Sequence, residues 1–277
     1  MGPAIAGPFC FVRRYNVAML YKYHPGTTPL VVNVPHAGTV VSPELAQRLT
    51  PHAQTLPDTD WHVDRLVEFA RERGASLLVA QVSRFHVDLN RGRDDRPLYA
   101  GATTGLVPVQ TFSGEAVYLS EPPGDDEIAE RVRQYWDPYH SRLETLLNEV
   151  RERHGHAVLL DAHSIRSRIP RLFDGQLPDL NLGTWEGRSC APALREKVSR
   201  IIASAPGLTS VVDGRFKGGY NTRNYGRPEE GVHALQIEIA QRSYMHEDDP
   251  QLWDEDRAGP VIKVLEQIVE CLQNWSP

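Results

Sequence analysis

Apolar residues follow two rhythms along this chain. Four stretches are short and β-rich: Pro29-Leu30-Val31-Val32-Asn33-Val34-Pro35, Ser76-Leu77-Leu78-Val79-Ala80-Gln81-Val82, His156-Ala157-Val158-Leu159-Leu160 and His233-Ala234-Leu235-Gln236-Ile237-Glu238-Ile239. Runs of this length predict strands, and those without polar alternation predict strands covered on both faces. Phe85-His86-Val87-Asp88-Leu89 alternates like a further strand, and Asp179–Thr184 and Thr209–Val212 predict two more. Elsewhere the spacing is helical. Val63, Leu66, Val67 and Ala70 predict an amphipathic helix starting near Asp58, and Gly74 stops it. Ser42-Pro43-Glu44 caps a short helix reaching about Leu49, and Gly124-Asp125-Asp126 opens a longer one. Asp137-Pro138 must kink or divide that longer helix before it continues to His154. Ala191–Ala203 and the segment from Gly259, with Val261, Ile262, Val264, Leu265 and Ile268, complete the helices.

Strands separated by helices predict an α/β fold, a three-layer α/β/α sandwich with a mixed, mostly parallel central sheet. The Pro29 and Ser76 strands flank a helix and so suit a β-α-β crossover. A chain of 277 residues fits one decorated domain, residues 1–277, because α/β domains of about 200 to 250 residues are routine. Residues 1–25 are expected to form an irregular extension, and Pro97–Pro123 shows no period at all.

In open sheets of this kind, ligands bind beyond the carboxyl ends of the strands. Two strands here end in histidine: Val34-Pro35 delivers His36-Ala37-Gly38, and Leu160 leads into Asp161-Ala162-His163-Ser164. Two strand-end histidines suggest two ligands of one metal, although a histidine in that place is as often a satisfied structural residue. Cys10, Cys190 and Cys271 are odd in number and far apart. They form no zinc pair or disulfide framework, which favours a reduced, cytoplasmic home and nitrogen and oxygen donors for any metal. A net charge of −6 without a dense basic stretch argues against nucleic acid. No run approaches the roughly 20 apolar residues of a membrane span, and Gly2, Pro3, Gly7 and Pro8 break up any leader-like core. A small-molecule substrate is the expected partner, with the oligomeric state open.

Six segments then stand in a telling order: Pro35-His36-Ala37-Gly38, Asp58-Thr59-Asp60-Trp61-His62-Val63-Asp64-Arg65, Asp88-Leu89-Asn90-Arg91, Asp161-Ala162-His163-Ser164, Gly214-Arg215-Phe216-Lys217-Gly218-Gly219-Tyr220 and Gln236-Ile237-Glu238. From about Pro29 to Asp249 the chain resembles the N-formylglutamate amidohydrolases, also called N-formylglutamate deformylases. The resemblance implies a zinc-type hydrolase related in fold to metallocarboxypeptidases and aspartoacylases. The implied reaction is N-formyl-L-glutamate plus water giving L-glutamate and formate, the closing step of one route of histidine degradation. Asn221 and the loop Arg93-Asp94-Asp95-Arg96 look less typical of the family than their neighbours.

A catalytic zinc takes about three protein ligands and keeps a position open. With His36 and His163 the third is expected to be a carboxylate. Asp58 and Asp60 on their own also read as helix-capping acids; the resemblance favours Asp60 as the ligand and leaves Asp58 as the cap. Asp161 could orient a ligand imidazole or bond strand-end backbone. Zinc is the expected ion, although cobalt, manganese and iron share such donors. Amide hydrolysis also needs a base, and Glu238 fits that part, unless its flanking isoleucines turn it toward solvent. Arg91 stands beside Glu238 in the expected catalytic set and is first choice for a substrate carboxylate, followed by Arg166 and Arg223. Asn90 and Tyr220 are further candidates for substrate contact. His52, His140, His154 and His246 lack ligand spacing and read as surface residues, and Lys217-Gly218-Gly219 lacks the spacing of a phosphate loop. Two rivals stand beside the deformylase: a related deacylase acting on N-acetyl or N-succinyl amino acids, and a catalytically silent member that binds small acidic ligands or metal.

Overall fold

The structure, a computed structural model, describes residues 20–97 and 104–277. One seven-stranded sheet spans them. Its strands are β1 (Tyr21–His24), β2 (Leu30–Val34), β3 (Ser76–Ala80), β4 (Ala157–Ile165), β5 (Leu180–Gly183), β6 (Ser210–Val212) and β7 (Val232–Ala240), in the order β1-β3-β2-β4-β7-β5-β6. The core β3-β2-β4-β7 is parallel, β1 and β5 run antiparallel to β3 and β7, and β6 is parallel to β5. The sheet is therefore mixed and mostly parallel. Tyr21–His24, expected within an irregular extension, form the edge strand β1. The rest of that extension, residues 1–19, lies outside the described residues.

Helices cover both faces. Leu30, Val32 and Val34 of β2, Val158 and Leu160 of β4, and Leu235, Ile237 and Ile239 of β7 pack against Val63–Val67, Pro192–Ala203 and Glu255–Gln273. On the other face Val31, Ala157, Leu159 and Ala234 meet Leu143, Leu146 and Val150 of Asp137–His154. Each fully buried aliphatic side chain contributes about 1.5–3 kcal/mol relative to exposure. A one-residue slip would exchange the two faces of a strand, so these contacts pin the register. That register matters because the second face turns polar at the carboxyl ends of β2, β4 and β7.

Several local expectations need correction. The helix predicted from Asp58 begins at Val63, after a turn in which His62 takes a left-handed φ of 62°. Asp58 is accordingly no cap; its Oδ2 accepts from the Phe112 N–H at 2.9 Å, a long-range contact that local spacing does not encode. Phe85–Leu89 is buried but not a strand: its backbone bonds locally and to Leu106, and Asp88 turns into the interior. Asp137-Pro138 interrupts the regular helix as expected, without ending it: Asp125–Arg131 gives way to another winding before Asp137–His154. Val132–Trp136 widens to a π-helical turn, where the proline's missing N–H and ring are accommodated. The last helix starts at Glu255, capped by Asp254, and carries Pro260 inside its first turns.

Candidate active site

Parallel pairing sets residues side by side on neighbouring strands. Asn33 lies beside Asp161, Asp161 beside Gln236, and His163 beside Glu238. Alternation along each strand then directs Asp161 and His163, and Gln236 and Glu238, to the same face. His36 joins them from the turn after β2. Asp60 is held against that turn by its N–H, which donates to the His36 carbonyl at 3.0 Å. All of these residues are buried.

His36, Asp60 and His163 each offer a donor atom, and these atoms lie within 4.8 Å of one another. His163 Nδ1 is 3.0 Å and His36 Nδ1 3.7 Å from Asp60 Oδ2. The outer nitrogen of each imidazole faces a further acid: His36 Nε2 lies 2.8 Å from Asp88 Oδ1, and His163 Nε2 lies 2.9 Å from Asp161 Oδ2. A carboxylate on the outer nitrogen fixes the tautomer so that the inner one presents its lone pair, which is how metal-binding histidines are usually held. The donor set thus fits a divalent cation. Asp88 is anchored in turn by Arg84, whose Nη2 donates to Asp88 Oδ2 at 2.5 Å while its guanidinium stacks over Phe112.

Burial and charge pull these groups in different directions. Burial alone would raise Asp60, but hydrogen bonds and charge from His163 and His36 hold it below the ordinary carboxylate range. Burial likewise opposes ionisation of Asp88, and Arg84 and His36 overcome it, keeping Asp88 well below the usual value. His163, which burial would depress, is raised by Asp161 and Asp60. Glu238 has no such compensation: burial pushes it up to about 8 despite the nearby His163. A carboxyl group displaced toward neutral pH is suited to exchanging protons there.

One cleft, with room for about 80 Å³ of water-sized occupants, collects these groups. Its walls bring His36, Asp60, His163, Glu238, Asn90 and Arg91 together. Asn90 touches the donor cluster, its Nδ2 lying 3.1 Å from His163 Nε2, and Arg91 Nε donates to the Thr104 carbonyl at 2.9 Å. Three expected residues lie elsewhere. Arg166 points to the surface, where it pairs with Asp248 at 3.2 Å. Tyr220 and Arg223 do not line the cleft either, because the glycine-rich stretch winds into a helix, Tyr220–Tyr225, that turns them aside. Tyr220 packs against the rings of Trp136 and His140, and Arg223 Nε donates to the Gly218 carbonyl. His140, expected at the surface, is buried, with Nδ1 2.8 Å from the Tyr225 hydroxyl.

Sequence reasoning left Arg84, Asp88, Arg215 and Gln236 without a place in the site, and all four line the cleft. Signals for three were present, Arg215 standing in the Gly214–Tyr220 segment. Asp88 opens the Asp88-Leu89-Asn90-Arg91 segment, and Gln236 precedes Glu238 by two on a strand, hence on the same face. Arg215 reaches the cleft from the turn before Gly218, its Nε donating to the Leu172 carbonyl at 2.8 Å, a placement set by tertiary contact.

The sequence profile of the family described as N-formylglutamate amidohydrolase matches residues 28–245. The chain belongs to the N-formylglutamate amidohydrolase family. Among relatives, the N-formylglutamate deformylase of Pseudomonas putida is 48% identical over 255 residues, covering 92% of this chain and 96% of its own length. That of Pseudomonas aeruginosa is 46% identical with the same coverage. The crystal structure of an N-formylglutamate amidohydrolase from Ralstonia eutropha superposes with a TM-score of 0.77 at 24% identity, over 92% of this chain and 96% of that one. A gene product of Agrobacterium tumefaciens shares the fold at TM-score 0.68 and 15% identity, over 95% and 100% of the two chains. Among the described residues no helix is long and apolar enough to cross a membrane.

Proposed function

We propose that this chain is a cytoplasmic, single-domain, metal-dependent N-formylglutamate deformylase that releases formate and L-glutamate in histidine degradation. Its membership of the amidohydrolase family and the names of its relatives support the reaction. Kinship with metallocarboxypeptidases and aspartoacylases belongs to the same proposal, supported by donors gathered at the carboxyl ends of a parallel core. The observation that carries metal dependence is the His36, Asp60 and His163 cluster, with Asp88 and Asp161 behind its histidines and buried Glu238 alongside.

His36, Asp60 and His163 would hold the cation, zinc first and cobalt, manganese or iron as alternatives. Bound there, the cation supplies Lewis acidity toward water and the formyl carbonyl. Glu238 accepts a proton from the attacking water and delivers it to the departing amine nitrogen as the C–N bond breaks, so one carboxyl group serves as base and then acid. Arg84, buried along the cleft, opposes the negative charge that develops on the formyl oxygen. Arg91 and Arg215 suit the two substrate carboxylates, since a guanidinium can grip a carboxylate through two hydrogen bonds.

The test is formate release from N-formyl-L-glutamate by purified protein, before chelation, after it and after zinc is restored, beside N-acetyl and N-succinyl glutamate. Release that requires metal and favours the formyl substrate is expected. Folded protein that releases no formate in any metal state would sink the proposal. Preference for acetyl or succinyl would move it to the related deacylases.

A further inference from the structure

Gln236 and Glu238 sit on one face of β7, both buried. The Gln236 side chain lies between two partners of opposite demand. Its Oε1 accepts from the Gly219 N–H at 2.7 Å, and its Nε2 donates to Glu238 Oε2 at 3.0 Å. A backbone N–H can only donate, so it decides which end of the amide faces it and turns the NH2 group toward the carboxylate. Gly219 is itself constrained. A Cβ at that position would come within 2.3 Å of Asn90 Nδ2 and 2.6 Å of Asn90 Oδ1, so glycine allows the backbone to pass between Asn90 and Gln236. Two residues later the Asn221 N–H donates to Asn90 Oδ1 at 2.9 Å. One turn therefore secures Asn90 beside His163 and Gln236 beside Glu238.

We propose that Gln236 is a positioning residue for the general base: its Gly219-anchored amide keeps Glu238 Oε2 as an acceptor, so that Glu238 Oε1 is the oxygen that takes and returns the proton. This rests on the proposed function, which makes Glu238 the base. The hydroxyl oxygen of a carboxylic acid is a weaker acceptor than its carbonyl oxygen. A proton arriving on Oε1 therefore leaves the Gln236 bond intact, whereas one on Oε2 weakens it. Without the amide the carboxyl group can rotate and offer either oxygen, and a misplacement of about 1 Å in a reacting group can cost on the order of 100-fold in rate.

Gln236→Met keeps the length of the side chain and removes both hydrogen bonds. With zinc restored, kcat for N-formyl-L-glutamate is expected to fall about 10- to 100-fold, while KM and the zinc Kd from chelator competition stay within about threefold. In a crystal structure of the metal-free variant the Glu238 carboxyl group should leave its parental orientation. Gln236→Leu likewise removes both hydrogen bonds; it should lose kcat in the same way and serves if the methionine variant does not fold. Retained kcat in an active parent background overturns this inference alone. So does a loss in which Tm, zinc Kd and KM all move together, which marks a merely structural role. A parent that releases no formate overturns the hydrolase proposal, and this inference with it.

Discussion

Asp88 joins His36, Arg84 and Asn90 at one carboxylate, and Asp88→Asn isolates what that junction contributes. The carboxylate accepts on both oxygens: Oδ1 from the Asn90 N–H at 2.8 Å and facing His36 Nε2 at 2.8 Å, Oδ2 from Arg84 at 2.5 Å. Asparagine has one acceptor end. With its oxygen toward Asn90 and His36, its NH2 group meets the Arg84 guanidinium; flipped, it meets the Asn90 N–H and the imidazole N–H. Either orientation sets donor against donor and takes from a buried cation, 6% exposed, its nearest carboxylate, leaving only Asp60 Oδ1 at 3.8 Å. Breaking a buried ion pair from one side costs about 3–5 kcal/mol. At about 2 °C per kcal/mol for a chain of this size, Tm of the metal-free protein should fall by roughly 6–10 °C. Zinc affinity should fall about 10- to 100-fold as His36 loses the group that fixes its tautomer. Urea denaturation and chelator competition read the two effects separately. Arg84→Met added to Asp88→Asn should restore part of the stability, because the stranded charge is gone, but none of the zinc affinity. A single variant within about 1 kcal/mol of the parent, the range of a surface pair, would refute the reasoning.

Other outcomes follow from the same geometry. Glu238 is raised by burial from 4.5 to about 8, so the folded state holds its proton where the unfolded chain has released it. Its contribution to stability is complete below about pH 4.5 and is lost as pH rises toward 8, with a slope of up to about 1.4 kcal/mol per pH unit. Metal-free Glu238→Gln should therefore gain on the parent in urea midpoint between pH 5 and pH 8, and parallel profiles would contradict this. Arg215→Met should raise KM for N-formyl-L-glutamate about 10- to 100-fold, the equivalent of a charge-assisted hydrogen bond of about 1.5–3 kcal/mol. The effect on N-formyl-L-leucine, which has one carboxylate fewer, should be smaller, and equal effects on both substrates would place Arg215 away from the second carboxylate. Arg166→Ala should change stability by no more than about 0.5 kcal/mol and leave kcat/KM unaltered; a large loss of turnover would return Arg166 to the site.

The central strands and most helices were legible because burial on both faces leaves an unbroken apolar run, as in Leu77–Ala80 and Ala157–Leu160. The histidines at the ends of β2 and β4, and the acid among the isoleucines of β7, were legible for a related reason: a polar group in an apolar run calls for a partner or a task. Asp60 and Arg91 became readable only through the ordered motifs of the family. What local pattern could not decide was direction. Arg166 and Arg223 match Arg84 and Arg215 in residue type, yet only the latter pair lines the cleft. Helical winding turns Arg223 away, and a surface partner, Asp248, holds Arg166. Asp58 read as a cap until Phe112, 54 residues away, supplied its donor. The sequence by itself determined the central elements and the strand-end chemistry, since both depend on neighbours two to four positions apart. Tertiary structure alone decided which acids stand behind the histidines and which amide faces Glu238, because those contacts join segments whose separation along the chain leaves no periodic trace.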